Sequence, residues 1–292
     1  MSSNATLSSS IGIFIACIIS KLYHSRQCVH FQLLSRKLMR TLLAALLLLI
    51  ATVTQTTAHA AMLTIAAAAD LKFAMADIIQ GFKHAHPDAT INTVYGSSGN
   101  FYTQITQGAP YDVFFSADVR YPKRLEQAGK TASPVEPYAF GRLVLWSNSM
   151  DARKMTLASL TNPAIQHIAI ANPKLAPYGQ RAVEALHAAG VWSQVAPKLV
   201  YGENISQTTE FVQSGNAQVG LIALSLAMSP KLASQGKYWL IPDTLYSPME
   251  QAYVLTDHAK GNPLAQQFVT YLASPSGQAI FVKYGFTLPD KQ

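Results

Sequence analysis

Four short stretches of the chain combine small residues with neutral hydrogen-bond donors: Ala69-Asp70, Ser97-Ser98-Gly99, Ala176-Pro177-Tyr178-Gly179 and Glu203-Asn204-Ile205-Ser206. Each follows an apolar, strand-like run and precedes a segment with helical spacing. The first N–H groups of a helix have no intrahelical partner, and the helix dipole favours negative charge there. A strand-to-helix loop of small residues can therefore hold an anion without any cationic side chain. Serine adds a hydroxyl donor, and small residues let the backbone approach a ligand closely. Taken singly, each residue has a plainer reading: Asp70 as a helix N-cap, Ser98 as a turn residue, Tyr178 as a packed aromatic, Asn204 and Ile205 as a helix start. Four comparable loops in one sequence are what point to a joint site.

The elements that must position these loops alternate. Leu63 to Ala68 is an apolar strand-like run, Phe73 to Phe82 has apolar residues at helical spacing, and Thr90 to Val94 alternates as a strand. A helix is predicted from Phe101 to Thr106, a short buried strand from Asp112 to Ser116 and a helix from Pro122 to Ala128. This β-α-β-α-β order with short connections predicts a doubly wound sheet, whose ligands bind outside the carboxyl ends of the strands. Strands at Leu143 to Trp146, His167 to Ile170, Leu199 to Val200 and Val219 to Ala223 predict a second α/β unit. Helices fall between them at Gln180 to Ala189, Thr208 to Ser214 and Leu224 to Met228. One more strand, Gln251 to Leu255, and two helices, Pro263 to Ala273 and Gly277 to Tyr284, close the chain. Two such units place a ligand in the cleft between them.

Of 292 residues, 49% are hydrophobic and 13% charged, enough apolar material for a sizeable core and too much for a disordered chain. The net charge of +7 is misleading, because Lys21, Arg26, Arg36, Lys37 and Arg40 precede residue 61 with no acid among them. The remainder carries 17 basic against 15 acidic residues, which is no nucleic-acid footprint. From Met39 a basic start leads into the apolar run Leu42 to Val53 and then Ala58-His59-Ala60, the pattern of a secretory signal peptide (39–60) cut after Ala60. Residues 1–38 lie upstream of that signal, and Met39 is the expected start of translation. Both cysteines, Cys17 and Cys28, fall in the upstream piece, so the exported part has no thiol chemistry.

An enzymatic reading finds little support. No GxSxG, HExxH or Walker pattern occurs, and the five histidines after the cleavage site (His84, His86, His167, His187, His258) form no cluster beyond His84-Ala85-His86, which lacks a third ligand.

The segments AAAADLKFAMADI, GSSGNFYTQITQGAPYDVFFSAD, YAFGRLVLWS, IAIANPKLAPYG and KYGF together resemble the periplasmic molybdate-binding proteins of ABC importers, in the subgroup that carries the APYG motif. The resemblance covers essentially the whole exported part in order. It implies a two-lobed periplasmic binding protein of type II, α/β, with doubly wound lobes around a ligand cleft: lobe 1 from 62–142 and 253–292, lobe 2 from 143–252. The crossings are expected around Phe140-Gly141-Arg142 and Gln251-Ala252-Tyr253. The implied activity is capture of molybdate or tungstate without metal or other cofactor, and delivery to an inner-membrane ABC permease. The protein is expected to be a periplasmic monomer, neither an enzyme nor a nucleic-acid binder. Matched position by position, the oxyanion donors are Asp70, Ser98, Tyr178 and Ile205, with Ala69, Ser97 and Asn204 in secondary places.

Two residues depart from the family pattern. Ala223, in GLIALS, stands where one subgroup has a ligand-binding tyrosine, and Asp70 stands where many members have serine or asparagine. A carboxylate beside a dianion is repulsive. Beside a dianion Asp70 must offer only its N–H, turn its side chain to cap the following helix, or carry a proton, and for a molybdate carrier the expectation is that it turns away as an N-cap and offers only its N–H. The alternative reading is another oxyanion, sulfate or a protonated one such as hydrogen phosphate, whose proton a carboxylate could accept.

Overall fold

A computed structural model describes residues 62–289; the upstream segment, the expected signal peptide (39–60) and both cysteines lie outside the described residues. The chain enters through β1 (Met62–Ala68), α1 (Lys72–Ala85), β2 (Thr90–Gly96), α2 (Ser98–Thr106), β3 (Val113–Ser116), α3 (Arg120–Gln127) and β4 (Glu136–Gly141). It then crosses to β5 (Leu143–Ser147), β6 (Ile168–Ala171), α4 (Pro177–Ala188), α5 (Trp192–Val195), β7 (Leu199–Gly202), α6 (Ile205–Gln213), β8 (Val219–Ala223), α7 (Leu224–Ala227), α8 (Pro230–Gln235) and β9 (Lys237–Leu240). It returns through β10 (Met249–Leu255), α9 (Pro263–Ala273) and α10 (Pro275–Lys283).

Each lobe is built on one five-stranded sheet, ordered β2-β1-β3-β10-β4 in the first and β7-β6-β8-β5-β9 in the second. In the first, β1 runs parallel to β2 and β3, while β10 is antiparallel to β3 and β4. The second repeats the scheme, with β6 parallel to β7 and β8, and β5 antiparallel to β8 and β9. Parallel strands need crossover helices, which cover both faces and leave the strands apolar throughout. Thus β3 (VFFS) and β6 (IAIA) are buried at every position.

The helices bury one stripe. In α1, Ala74, Met75, Ile78 and Phe82 lie on the buried face, and full burial of a side chain the size of Met75, Ile78 or Phe82 stabilises by about 1.5–3 kcal/mol. Phe82 meets Phe268 of α9 edge to face at 5.2 Å between ring centres and stacks on His86 at 4.2 Å. That stacking gives His86 a packing role.

Three features differ from the sequence expectation. Strand β4 (EPYAFG) was not foreseen, because Glu136 and Pro137 spoil the apolar pattern; an edge position tolerates the proline. Strand β9 is also an edge, with its first two residues exposed. Pairing of β10 in the first sheet already begins at Met249, opposite Gly141. The return crossing therefore precedes Met249, upstream of Gln251-Ala252-Tyr253; Pro248, just before the strand, has no N–H to donate to a ladder. A register shift between Gln251 and Ala252 bulges β10 there.

Candidate functional site

The four loops stand at the carboxyl ends of β1, β2, β6 and β7, all strands of the parallel parts of the two sheets. Their helices start without much help from side chains. Ser97 is the N-cap of α2 and Ala176 of α4, and neither makes a side-chain cap bond. Pro177 at the first position of α4 has no N–H, and the N–H groups of Gly179 and Gln180 turn back to the Ala176 carbonyl, leaving that of Tyr178 aimed outward from the helix start. In α6 the Asn204 side chain caps the N–H groups of Ser206 and Gln207, at 3.0 and 3.1 Å, and does not engage that of Ile205.

Contacts between the lobes bring these loops together. The Gly99 N–H donates to the Leu175 carbonyl at 2.9 Å, the Ser206 hydroxyl to the Ala69 carbonyl at 3.1 Å, and Asn100 Nδ2 to Glu203 Oε1 at 2.9 Å. Gly99 is needed for that approach, since a Cβ there would lie 2.7 Å from the Leu175 carbonyl oxygen. Ser98 is fully buried and its Oγ accepts from the Ala117 N–H at 3.0 Å, which leaves the hydroxyl proton free to be donated. Ser97 is buried too, and its Oγ has no partner among the described residues.

Asp70 departs from expectation. The 3-10 turn after β1 is capped at Ala68 without a side-chain bond, and α1 is capped at Leu71, so the Asp70 carboxylate is not an N-cap. It is instead buried between the lobes, where Oδ2 accepts from the Tyr178 hydroxyl at 3.1 Å and from Gln251 Nε2 at 2.7 Å. Gln251 Oε1 in turn accepts from the Tyr138 hydroxyl at 2.6 Å. The bulge in β10 falls at this glutamine, a common way of re-aiming a side chain. The Asp70 carbonyl accepts from Ser225 Oγ at 2.7 Å. Burial pushes the Asp70 carboxyl up to about 6, a rise that the hydrogen bonds from Gln251 and Tyr178 only partly offset. Burial, and after it the Asp70 charge, holds the Tyr178 and Tyr138 hydroxyls well above the usual phenol range.

A second interlobe contact is ionic. Arg181 of α4 reaches Asp118, beyond β3, at 3.4 Å, with both side chains almost completely buried; Arg181 also pairs with Glu184 at 2.8 Å. Arg120 bonds Asp118 within the first lobe and donates to Gln180 Oε1 across the cleft at 2.8 Å. Neither this latch nor Gln251, Tyr138 and Ser225 was legible in sequence, since each pairing joins residues far apart in the chain. Among the described residues no group of three or more His, Cys, Asp or Glu is placed to hold a metal ion, and no helix is long and apolar enough to cross a membrane.

The family of bacterial extracellular solute-binding proteins matches residues 63–287. The chain is 39% identical over 232 residues to the molybdate-binding protein ModA of Azotobacter vinelandii, covering 79% of this chain and 92% of that protein. It is 40% identical over 198 residues to the molybdate-binding protein ModA of Rhodobacter capsulatus, covering 68% and 77%. The solved periplasmic molybdate-binding protein of Azotobacter vinelandii superposes with a TM-score of 0.74 at 30% identity, over 78% of this chain and all of that one.

Proposed function

The chain belongs to the bacterial extracellular solute-binding proteins, and on that premise we propose that it captures molybdate or tungstate between its lobes and delivers it to an inner-membrane ABC permease, acting as an exported periplasmic monomer. The observation that carries this reading is the joining of four strand-end loops, two from each sheet, around uncharged donors. The proposed donors are the N–H groups of Asp70, Tyr178 and Ile205 and the N–H and hydroxyl of Ser98, with Ala69, Ser97 and Asn204 shaping the loops. The lobes are taken as 62–142 with the chain from Met249 onward, and 143–248, which moves the expected return boundary from 253 to the start of β10. The names borne by the relatives support the same choice of ligand.

Fixed donors select by size. Sulfate has shorter bonds than molybdate, so in a site fitted to molybdate some donors fall out of reach. Each lost charge-assisted hydrogen bond costs roughly 1.5–3 kcal/mol, so two imperfect contacts give about a hundredfold preference or more. Calorimetric titration with molybdate, tungstate, sulfate and phosphate is expected to show molybdate and tungstate bound well above sulfate. Equal affinity for sulfate and molybdate would remove the proposal.

Ser98→Ala is expected to weaken molybdate binding by about 1.5–3 kcal/mol. Because Ser98 Oγ also accepts from the Ala117 N–H, the same variant is expected to lower the melting temperature slightly. Ser97→Ala disturbs no protein hydrogen bond among the described residues and is expected to change both measurements less. A larger binding loss in the Ser97 variant would show that the hydroxyl roles are exchanged.

A further inference from the structure

We propose that this site takes up its oxyanion together with one proton, held on Oδ1 of Asp70 and donated to the bound anion. The inference rests on the oxyanion-binding reading above and adds a charge rule to it.

The geometry at Asp70 carries the argument. The side chain is 1% exposed at the carboxyl end of β1. Its Oδ2 is occupied by two donors, whereas Oδ1 is buried with no hydrogen-bond partner among the described residues. The N–H groups of Asp70 and Leu71 lie near the carboxyl without satisfying Oδ1. A buried carboxylate oxygen without a donor is a costly arrangement, and native structures keep such groups where a ligand or a proton completes them.

Among the described residues no cation is at hand to complete it. The group facing Asp70 from α4 is the Tyr178 hydroxyl, itself influenced by Tyr246, and from β10 it is the neutral Gln251 amide, behind which stands Tyr138 of β4. From α7 comes the Ser225 hydroxyl, and from α6 the Ser206 hydroxyl on the neighbouring Ala69 carbonyl. On α1 the nearest charge, Lys72, is half-exposed and turned to Glu210 at 3.9 Å. Tyr138 and Tyr178 stay neutral, since burial raises both.

A dianion bound to the loop N–H groups would thus share a dry site with a carboxylate that no positive charge offsets. Like charges in one site are relieved by protonating one of them. Burial already raises the proton affinity of Asp70, and a neighbouring dianion acts in the same direction. Molybdate is fully deprotonated near neutral pH, so the proton comes from solvent and resides on the protein. No bond of the oxyanion changes. The carboxyl O–H then donates to a ligand oxygen, which resolves the unpartnered Oδ1 and the repulsion together.

The test is calorimetric titration of the purified protein with molybdate between about pH 6.5 and about pH 8.5, in buffers of different ionisation heat, which counts the protons exchanged. The expected result is uptake of about one proton per anion at the alkaline end, with Kd rising about tenfold per pH unit there and less steeply at the acid end, as the free Asp70 carboxyl, pushed up to about 6, becomes partly protonated. Asp70→Asn, whose amide donates without titrating, is expected to bind with no proton uptake and a Kd independent of pH; Asp70→Ser serves the same purpose if the amide variant does not fold. Tight molybdate binding by the wild type with no proton uptake and a flat Kd overturns the inference and leaves the oxyanion reading standing. Undiminished uptake in the Asp70 variants also overturns it, by placing the proton elsewhere. Failure of the wild type to bind molybdate at any pH in the range removes both.

Discussion

Asp118→Ala is expected to weaken oxyanion capture by about a hundredfold or more, chiefly by speeding dissociation. The reason lies in the latch between lobes. Asp118 and Arg181 form an ion pair between the lobes with both side chains buried. Removing one partner of a buried pair costs about 3–5 kcal/mol, because the other is left in a dry site with its charge undercompensated. Arg181 keeps Glu184, but its Nε is already buried without a partner, so little reserve remains. If the lobes parted to release a ligand, Arg181 would be hydrated again. The cost therefore falls on closure more than on folding, and closure is what retains a ligand. Stopped-flow release of molybdate and small-angle scattering of the free protein check this together. A variant with unchanged release rate and unchanged radius of gyration would show that the pair is a bystander.

Gly179→Ala is the second large effect. A Cβ at this position would lie 2.1 Å from the Ala171 carbonyl oxygen and 2.9 Å from the Asn172 carbonyl carbon, which are backbone atoms at the end of β6 and cannot swing aside. The start of α4 must shift instead, and the Tyr178 N–H and hydroxyl move with it. Forced overpacking typically costs about 1–3 kcal/mol, which in a chain of this size lowers Tm by roughly 2–4 °C per kcal/mol. Loss of the proposed Tyr178 N–H contact to the anion adds roughly 1.5–3 kcal/mol to the binding loss. Thermal unfolding with and without molybdate separates the two parts: the free protein should melt somewhat lower, and the gain in Tm on adding molybdate should shrink much more. Wild-type stabilisation by molybdate in the variant would contradict the role given to this loop.

How far these features could be read in advance follows from their physics. Strand runs such as Leu63–Ala68 and helical spacing such as Phe73–Phe82 are local signals, and the structure places β1 and α1 there. The loops at Ser98, Tyr178 and Ile205 were visible for the same reason, as small residues just before a helical period. Strand β4 was not, because Glu136 and Pro137 occupy an edge that needs no apolar alternation. The residues around Asp70 were hidden for another reason. Tyr178 lies 108 residues away and Gln251 lies 181 residues away, so only the closing of two lobes reveals them as partners. The N-cap expectation for Asp70 failed because a local propensity lost to that distant network.

The place of β10 has a consequence for how the chain is made. In the first sheet this strand lies between β3 and β4, yet it is separated from β3 by the whole of the second lobe. The second sheet consists of an uninterrupted run of chain from β5 to β9 and can form as soon as that run has been delivered. The first cannot. Until residues 249–255 arrive, β3 and β4 have no strand between them, and the inward face of Val113 and Phe115 waits without Phe268 of α9. A chain is synthesised amino end first, so the half that emerges first is the half that finishes folding. Its apolar strands must be kept from pairing elsewhere for as long as the second lobe takes to emerge, which makes the time of emergence, as much as any contact in the cleft, a determinant of how much protein reaches its folded form.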